Sequence, residues 1–476
     1  MTGSANAWRR AGAAAACCLA GVLWLAGPLV GSASAGAAET SAAVRDAGEA
    51  DAVTAFVGAR LIPIDGPEIP VGVLVVEGGE IVAVGTRREV RIPDGAEVID
   101  VSGKVIMPGL VCSHSHVGGI GGADGSGPIQ PEVRIADSIN VRNPGFKRAV
   151  AGGLTTLNIM PGSGHLMSGQ TIYVKLRGGD VIDDLFILDA DGEAMGGLKM
   201  ANGTNPMRDP PWPGTRGKTA ALVRQRFLDA RAYAEKRRAA EEDPDLAPPA
   251  RDLALEPLVE AMNGERMVHH HTHRHDDIMT VLRLADEFGF RVVLHHVSEA
   301  HRVAEQIAES GAMVSAIILD SPGGKLEAVE LVMETPGILE RAGVHTALHT
   351  DDWITDSRLF LRMAAMAVRA GMTREGALRA VTLANAEILD LGDRIGSLTP
   401  GKEADFVILS GDPLSIYTRV VETYVEGERV FDLDDETDRL YADGGFGAGQ
   451  QTKPYLCCYD HAAGHHAHNH QTGAQQ

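Results

Sequence analysis

The chain of 476 residues has few cysteines, little positive charge and no long run of apolar residues. Of its five cysteines, Cys17 and Cys18 lie in an N-terminal segment that is expected to be removed, which leaves Cys112, Cys457 and Cys458. Three thiols are too few for a disulfide framework. A hydrophobic core, helped or not by a bound metal, must therefore hold the fold together.

Basic residues are outnumbered by acidic ones, 43 against 64, which gives a net charge of −21. Such a charge argues against nucleic acid as a partner, because phosphate binding depends on clustered Lys and Arg. The acidity keeps the protein soluble, and the expected partner is a small-molecule substrate.

The first 35 residues have the order of a secretory signal. Arg9 and Arg10 precede the apolar run CCLAGVLWLAG, and small residues follow at Ala33 to Ala35. The run is shorter than the ~20 residues that span a bilayer, so no stable membrane span is expected after cleavage. The sequence predicts a signal peptide at 1–35, a linker at 36–52 and export to the periplasm or the extracellular space.

The rest of the chain predicts an α/β protein, a (β/α)8 TIM barrel with a small β-sandwich domain built from both chain ends. Short β-type runs with Gly, Asp and Pro turns at 53–107 and 393–432 predict the sandwich. Residues 108–392 alternate strand-like and helix-like segments, as a barrel requires, and 215–264 predicts a helical insertion. The eight candidate barrel strands are LVCSHSH, LTTLNIM, TIYVKL, GGLKMAN, RMVHHH, RVVLHH, AMVSAIIL and VHTALHTDD. Residues 433–476 predict a disordered tail whose histidines and cysteines either bind metal or have no function.

Metal-ligand residues stand at the ends of several candidate strands. His114 and His116 are two apart and share one face of a strand. The fifth strand ends in His269, His270 and His271, the sixth in His295 and His296, and the eighth runs into Asp351. The carboxyl ends of barrel strands converge on one mouth, and imidazole with carboxylate suits zinc. The sequence therefore predicts a divalent-metal site there.

Four segments carry a resemblance to a known family. VIMPGLVCSHSH, GGLTTLNIMPG, ALHTDD and LANAEILDLGDRIGSLTPGKEADFVILSGDP resemble hallmark segments of the amidohydrolase superfamily, in particular of its imidazolonepropionase-like and prolidase-like branch. The resemblance covers residues 53–432. It implies a (β/α)8 barrel that carries one or two divalent metal ions beside a split β sandwich.

Carried over position by position, the resemblance implies a set of metal ligands, namely His114, His116, His271, His296 and Asp351. A two-metal site of this family often also has a carboxylated lysine at the end of the fourth strand. Lys199 holds that place, Lys175 one strand earlier is a second candidate, and a one-metal site without a bridge is the third possibility. Within MVHHHTHRHDD, His271 is then the ligand, His273 and His269 line the mouth, and His270 packs outward.

The remaining candidates are assigned to catalysis and substrate binding. Asp351 is the expected acid and base, with His296 as either a ligand or a catalytic group. Substrate contacts are expected from His273, His165, Asp352 and Lys175. Cys112 stands where the family commonly has Asp, so it is either a small buried residue or a thiol that alters the metal.

These features favour an exported amidohydrolase that cleaves a C–N bond of an amide, a cyclic amide or a dipeptide-like substrate with metal-activated water. The expected cofactor is a divalent metal, most favourably zinc, with one or two ions per chain. Two alternatives stay open: a single-metal deaminase or imidazolone-type ring hydrolase, and an exported metal-binding protein without turnover.

Overall fold

The computed structural model describes residues 53–119, 124–318, 325–352 and 354–444. The predicted signal peptide and linker lie outside these ranges, as does the tail beyond residue 444. In the part of the tail that is described, residues 436 to 443 are helical.

The strands, in chain order, are β1 Thr54–Val57, β2 Arg60–Leu61, β3 Gly72–Glu77, β4 Glu80–Thr86, β5 Glu97–Asp100, β6 Val105–Pro108, β7 Leu110–Ser115, β8 Leu154–Ile159, β9 Met167–Gln170, β10 Ile172–Lys175, β11 Leu198–Ala201, β12 Val268–Thr272, β13 Val292–His296, β14 Met313–Ala316, β15 Thr346–Leu348, β16 Phe406–Leu409, β17 Val420–Val425 and β18 Glu428–Asp432.

The α-helices are α1 Pro144–Ala151, α2 Arg216–Glu242, α3 Glu256–Met262, α4 His275–Phe288, α5 Ala304–Ser310, α6 Thr335–Arg341, α7 Phe360–Arg369, α8 Arg374–Ala380, α9 Leu383–Ile388 and α10 Glu436–Asp443. Short 3-10 helices occupy Ile135–Ser138, Ile182–Leu185, Ala300–Arg302, Leu326–Ala328 and Ser357–Leu359.

The middle of the chain is a mixed α/β arrangement of two sheets. One sheet has the order β15-β14-β13-β12-β11-β9 and the other the order β10-β8-β7. The pairs from β11 to β15 are parallel, as is the pair β7 and β8. Every residue of β8 and β13 is buried, as expected where helices cover the outer face of a parallel sheet. An isolated parallel bridge joins Ser115 at the end of β7 to Asp352 beyond β15.

The third candidate strand differs from the prediction, because it runs antiparallel to its neighbours. β9 pairs antiparallel with β11, and β10 pairs antiparallel with β8. Only Thr171 separates β9 from β10, so the two form one extended segment between β8 and β11. The loop from Ile159 to Met167 is too short for the crossover of a dozen or more residues that parallel pairing requires. The chain therefore turns back instead of crossing over.

The ends of the chain meet in one five-stranded sheet. Its order is β18-β17-β16-β6-β2, so three strands from after the central region join two strands from before it, and the two groups meet at the antiparallel pair β16 and β6. The four-stranded sheet β4-β3-β1-β5 packs against it through Phe56, whose ring centroid lies 5.0 Å from that of Phe406 and 5.2 Å from that of Tyr424. This shared core fixes β6, and hence the start of β7, in place.

The region between β11 and β12 contains the helices α2 and α3. Phe227 of α2 is fully buried and stacks on Phe288 and Phe290, with 5.0 Å between ring centroids in each pair. Arg224 adds an ion pair to Glu287 of α4. The described helices include none with the length and apolar character of a membrane span.

Candidate metal centre

A cluster of buried histidines lies where β7, β12, β13 and β15 end. β12 to β15 are parallel strands of one sheet, so the carboxyl ends of β12, β13 and β15 lie at one edge, and the bridge from Ser115 to Asp352 brings the end of β7 beside the end of β15. The structure brings together His114 and His116 from β7, His271 from β12, His296 from β13 and Asp351 from beyond β15. Lys199 of β11 joins them.

Asp351 is the point at which this cluster converges. Its Oδ1 atom lies 2.9 Å from His116 Nε2 and 3.3 Å from His114 Nε2, and these two nitrogens are 3.3 Å apart. Its Oδ2 atom lies 3.8 Å from His296 Nδ1. Hydrogen bonding to His116, and the charge of that ring, lower the pKa of the carboxyl although burial acts strongly in the opposite direction. Asp351 is therefore ionised at neutral pH.

Hydrogen bonding on the far side of His116 orients its Nε2 atom toward Asp351 and His114. The Nδ1 atom lies 2.7 Å from the carbonyl oxygen of Met160, to which it must donate its proton. In a neutral ring Nε2 then presents a lone pair to the Asp351 carboxylate and to His114 Nε2. A proton on Nε2 could satisfy only one of these two contacts. A metal ion could bind His116 Nε2, His114 Nε2 and Asp351 Oδ1 together. These three residues fit a divalent metal.

The backbone is unusual at the same strand ends. His296, Val297 and Asp351 have φ of 71°, 50° and 49°. Left-handed conformations are costly for residues other than glycine, and they concentrate at functional sites. Here they place two site-facing side chains where the strands stop.

Four buried histidines in and beside the cluster are held in the neutral form. Burial is the main cause that lowers the pKa of His114, His271, His295 and His296 well below the ordinary value. A metal ligand must be a neutral imidazole, so the environment favours ligation. Among the described residues, no hydrogen-bond partner is found for either ring nitrogen of His271 or for Nε2 of His296.

Lys199 reaches into the cluster, and Lys175 does not. The Nζ atom of Lys199 lies 3.2 Å from His114 Nε2 and 3.0 Å from the sulfur of Met160. Burial lowers the pKa of its ammonium to about 7, against the raising effect of Asp351. Lys175 instead forms buried ion pairs with Glu403 and Asp405, on the side of the five-stranded sheet.

The other predicted substrate residues are placed at different depths. His273 follows β12 and its Nδ1 atom lies 2.7 Å from Ser298 Oγ. The Asp352 carboxylate accepts a hydrogen bond of 2.5 Å from Ser357 Oγ, and burial raises its pKa. His165 packs on Trp212, with 4.8 Å between ring centroids, and burial lowers its pKa to about 4.

Cys112 fits the first of its two possibilities, a small buried residue, and His270 is also buried. Cys112 is fully buried and contacts Thr350 Oγ1 at 3.3 Å, and burial raises the pKa of its thiol to about 11. His270 is buried, with its Nδ1 atom 2.9 Å from the carbonyl oxygen of its neighbour His271. His269 differs from the expectation of a mouth residue, since it contacts Tyr173 and His295 deeper in the structure.

Sequence reasoning missed His349, which stacks on His114 with 4.7 Å between ring centroids. Its Nε2 atom lies 3.3 Å from His296 Nδ1, and donor atoms of His114, His296 and His349 come within 4.8 Å of one another. The signal was present in ALHTDD, because His349 is two residues before Asp351, the spacing that singled out His114 and His116.

A line of polar contacts beneath the cluster was also not predicted. Ring nitrogens of His114 and His295 are 3.2 Å apart, those of His295 and His269 are 3.0 Å apart, and the hydroxyl of Tyr173 lies 3.0 Å from His269. These contacts occupy Nδ1 of His114. They leave its Nε2 atom facing Asp351.

Comparisons with known proteins agree with this geometry. The model of the Amidohydrolase family matches residues 260–431. An amidohydrolase of known structure from Thermotoga maritima MSB8 is 34% identical, with a TM-score of 0.75 over 80% of this chain and 100% of that one. The metal-ligand cluster and the mixed α/β fold define a hydrolase of the metal-dependent kind. The chain belongs to the amidohydrolase superfamily.

Two other similarities are more distant. Amidohydrolase tasK of Hapsidospora irregularis is 26% identical over 394 residues, which is 76% of this chain. The match spans only 40% of the length of that curated relative. A crystal structure of a prolidase complexed with N-methylphosphonate-L-proline is 20% identical, with a TM-score of 0.50 over 79% of this chain and 99% of that one. That second likeness shows the fold alone.

Proposed function

We propose that the protein is an amidohydrolase that uses metal-activated water to cleave the C–N bond of an amide, a cyclic amide or a dipeptide-like substrate. The observation that carries the proposal is the convergence of His114, His116 and Asp351, whose three donor atoms lie 2.9 to 3.3 Å from one another. These donor atoms converge on one point, and that arrangement suits a cation.

The residues divide between two cation positions. His114, His116 and Asp351 hold the first, and His271 and His296 contribute to a second, with Lys199 as the candidate bridge. Zinc suits nitrogen and carboxylate ligands of this number. A bound metal supplies Lewis acidity, which lowers the pKa of a water molecule and polarises a carbonyl group.

Asp351 is the group placed to move the proton. It is ionised, mostly buried and held at the end of β15, so it is ready to accept a proton from the attacking water. After attack it returns that proton to the leaving nitrogen, because general acid and base roles alternate across the two halves of hydrolysis. A neutral His296 beside it orients the substrate carbonyl or completes the ligand set.

Lys199 is suited to serve as a carbamate. Its lowered pKa supplies neutral amine near pH 7, and only a neutral amine reacts with carbon dioxide. The carbamate is an anion that two cations stabilise. The Lys199 Nζ atom lies 3.2 Å from His114 Nε2, so a carbamate there would stand beside the ligands of the first cation.

A single-metal reaction is the second candidate, and one observation favours it. His114, His116 and Asp351 form a self-sufficient three-ligand site, and His296 Nδ1 lies 3.8 Å from the Asp351 carboxylate. In that arrangement His296 acts on the substrate, as in a deaminase or an imidazolone-type ring hydrolase. Counting tightly bound metal ions per chain separates the two candidates.

The proposal extends to architecture and location. We take the two central sheets to be arcs of one (β/α)8 barrel in which the third strand is reversed, with Ser115 and Asp352 joining its first and last strands. The four- and five-stranded sheets then form the flanking β sandwich. Arg9, Arg10 and the apolar run after them support export to the periplasm or the extracellular space.

A substrate screen with an Asp351→Asn variant tests the activity. N-acyl amino acids, dipeptides and cyclic amides are offered to protein purified without chelator. We expect at least one class to be hydrolysed, and Asp351→Asn to lower kcat at least 100-fold, since general acid-base groups contribute about 10²- to 10⁴-fold. Asp356→Asn, which removes a carboxylate paired with Arg358, is the control. Equal turnover by the parent and Asp351→Asn contradicts the proposal.

A further inference from the structure

A second group of buried donor atoms lies beside the cluster described above. His271, His273 and Glu327 each offer one ligand atom, and these three atoms lie within 4.8 Å of one another. The three residues are 2%, 2% and 3% exposed. Glu327 belongs to the short helix Leu326–Ala328, in the connection that follows β14, and no sequence motif pointed to it.

The atoms of this group that face one another are unpartnered. Within the described ranges, hydrogen-bond partners are lacking for both ring nitrogens of His271, for Nε2 of His273 and for Oε1 of Glu327. A buried polar atom without a partner is destabilising, and more so where it is charged. Two imidazoles and a carboxylate left unpaired at one place therefore indicate a ligand that accepts lone pairs.

The protein holds His273 and Glu327 by hydrogen bonds to the atoms that face away from the site, as is usual for metal ligands. His273 is oriented through Nδ1 by Ser298 Oγ at 2.7 Å, which leaves Nε2 as the ligand atom. Glu327 Oε2 accepts hydrogen bonds from Thr204 N at 2.7 Å and from Arg216 at 3.3 Å, which leaves Oε1. Gly203, with φ of +74°, makes this approach possible, since a Cβ there would lie 2.6 Å from Oε2.

An ion pair supports Glu327 from the side opposite Oε1. Arg216 is shared between Glu327 and Asp277, whose carboxylate it contacts at 2.8 Å. This pairing holds the Glu327 carboxylate beside the two histidines.

We propose that His271, His273 and Glu327 form a binding site for a divalent transition metal ion, separate from the ion at His114, His116 and Asp351. Two imidazole nitrogens and one carboxylate oxygen are a ligand set that zinc takes, with a fourth position for His296 or water. The inference rests on the proposed function, whose second cation already takes His271 and His296, and it gives that cation His273 and Glu327 as further ligands.

The test is metal content by mass spectrometry on the full-length chain, after equilibration with Zn²⁺ and gel filtration. The variants are His273→Asn and Glu327→Gln. His273→Asn keeps a polar atom near the Nδ1 position, which contacts Ser298, and removes Nε2. Glu327→Gln keeps the shape of the side chain and removes its charge. Both are expected to release one equivalent of zinc relative to the parent, while the ion at His116 and Asp351 stays. Ser298→Ala is expected to weaken binding about 10- to 100-fold.

His275→Gln is the matched control. This histidine lies two residues beyond His273, its side chain is 48% exposed and it pairs with Glu299. It is expected to bind as much zinc as the parent. All chains carry the same histidine-rich C-terminus, so its contribution cancels in the comparison.

Unchanged zinc content and affinity in folded His273→Asn overturn the inference, and so does a loss that His275→Gln shows equally. If Glu327→Gln fails to fold, as judged by circular dichroism, His273→Asn and Ser298→Ala decide. Because zinc is counted directly, the two failures give different results. If this site does not exist, the variants keep their zinc; if the proposed function is wrong, metal is bound but no substrate is turned over.

Discussion

The two candidate lysines show what sequence leaves open at the scale of single residues. Lys175 ends β10 and Lys199 lies within β11, and the sequence offered either as the bridge between metals. In the structure Lys199 contacts His114, whereas Lys175 is paired with Glu403 and Asp405 from the far end of the chain. No local pattern reveals a partner 230 residues away.

Replacing each lysine by methionine should therefore affect different properties: Lys175→Met mainly lowers stability, and Lys199→Met mainly lowers metal content. Lys175→Met leaves the buried Asp405 carboxylate without its cation, and breaking a buried pair costs about 3 to 5 kcal/mol. Lys199→Met removes an amine whose burial already disfavours its charge. The free energy of unfolding of this variant should therefore change less than that of Lys175→Met, and its metal content should fall more. Chemical denaturation and metal analysis of both variants measure this. Equal destabilisation with equal metal retention would contradict the assignment.

Side-chain alternation accounts for the part of the site that the sequence did predict. The two-residue spacing within β7 placed His114 and His116 on one face, and the structure joins both to Asp351. The same two-residue spacing, counted back from Asp351 just beyond β15, would have found His349. Glu327 could not be found in this way, because it stands in a connection whose path no periodicity describes.

At the scale of elements, the strands were easier to predict than their direction. Each of the eight quoted segments contains a strand, since buried strands are recognisable as short apolar runs. The predicted direction of the third strand was wrong. Strand direction depends on the length of the preceding loop, whereas the prediction used only the composition of the segment. Its reversal leaves Lys199 on the next strand beside His114.

The attachment of α2 gives a prediction at this scale. The helix is largely polar, and its fully buried Phe227 lies between Phe288 and Phe290. Phe227→Ala should lower the free energy of unfolding by about 3 to 5 kcal/mol, through loss of buried surface and the cavity left behind. Leu228→Ala, at a neighbouring position that is 41% exposed, should change it by less than about 0.5 kcal/mol. Thermal unfolding compares the two, and similar values would show that α2 is not anchored at Phe227.

At the scale of the whole molecule, the pairing of chain ends was accessible to sequence reasoning because both ends carry short β runs with turn residues. The structure sets β16 beside β6 in a single sheet. The choice of substrate is not accessible in the same way, since it depends on loops and on the segment that contains α2 and α3, where the sequence matches no mechanism-bearing motif.

The account as a whole depends on metal at the strand ends, and one titration tests it most directly. Turnover of a substrate found in the screen, and tightly bound metal per chain, are measured on the same samples as a chelator removes the metal and Zn²⁺ is then returned. We predict that both quantities fall together and recover together in the parent, and that His116→Asn recovers neither to the parent level. Full turnover by protein shown to be free of metal would contradict the account.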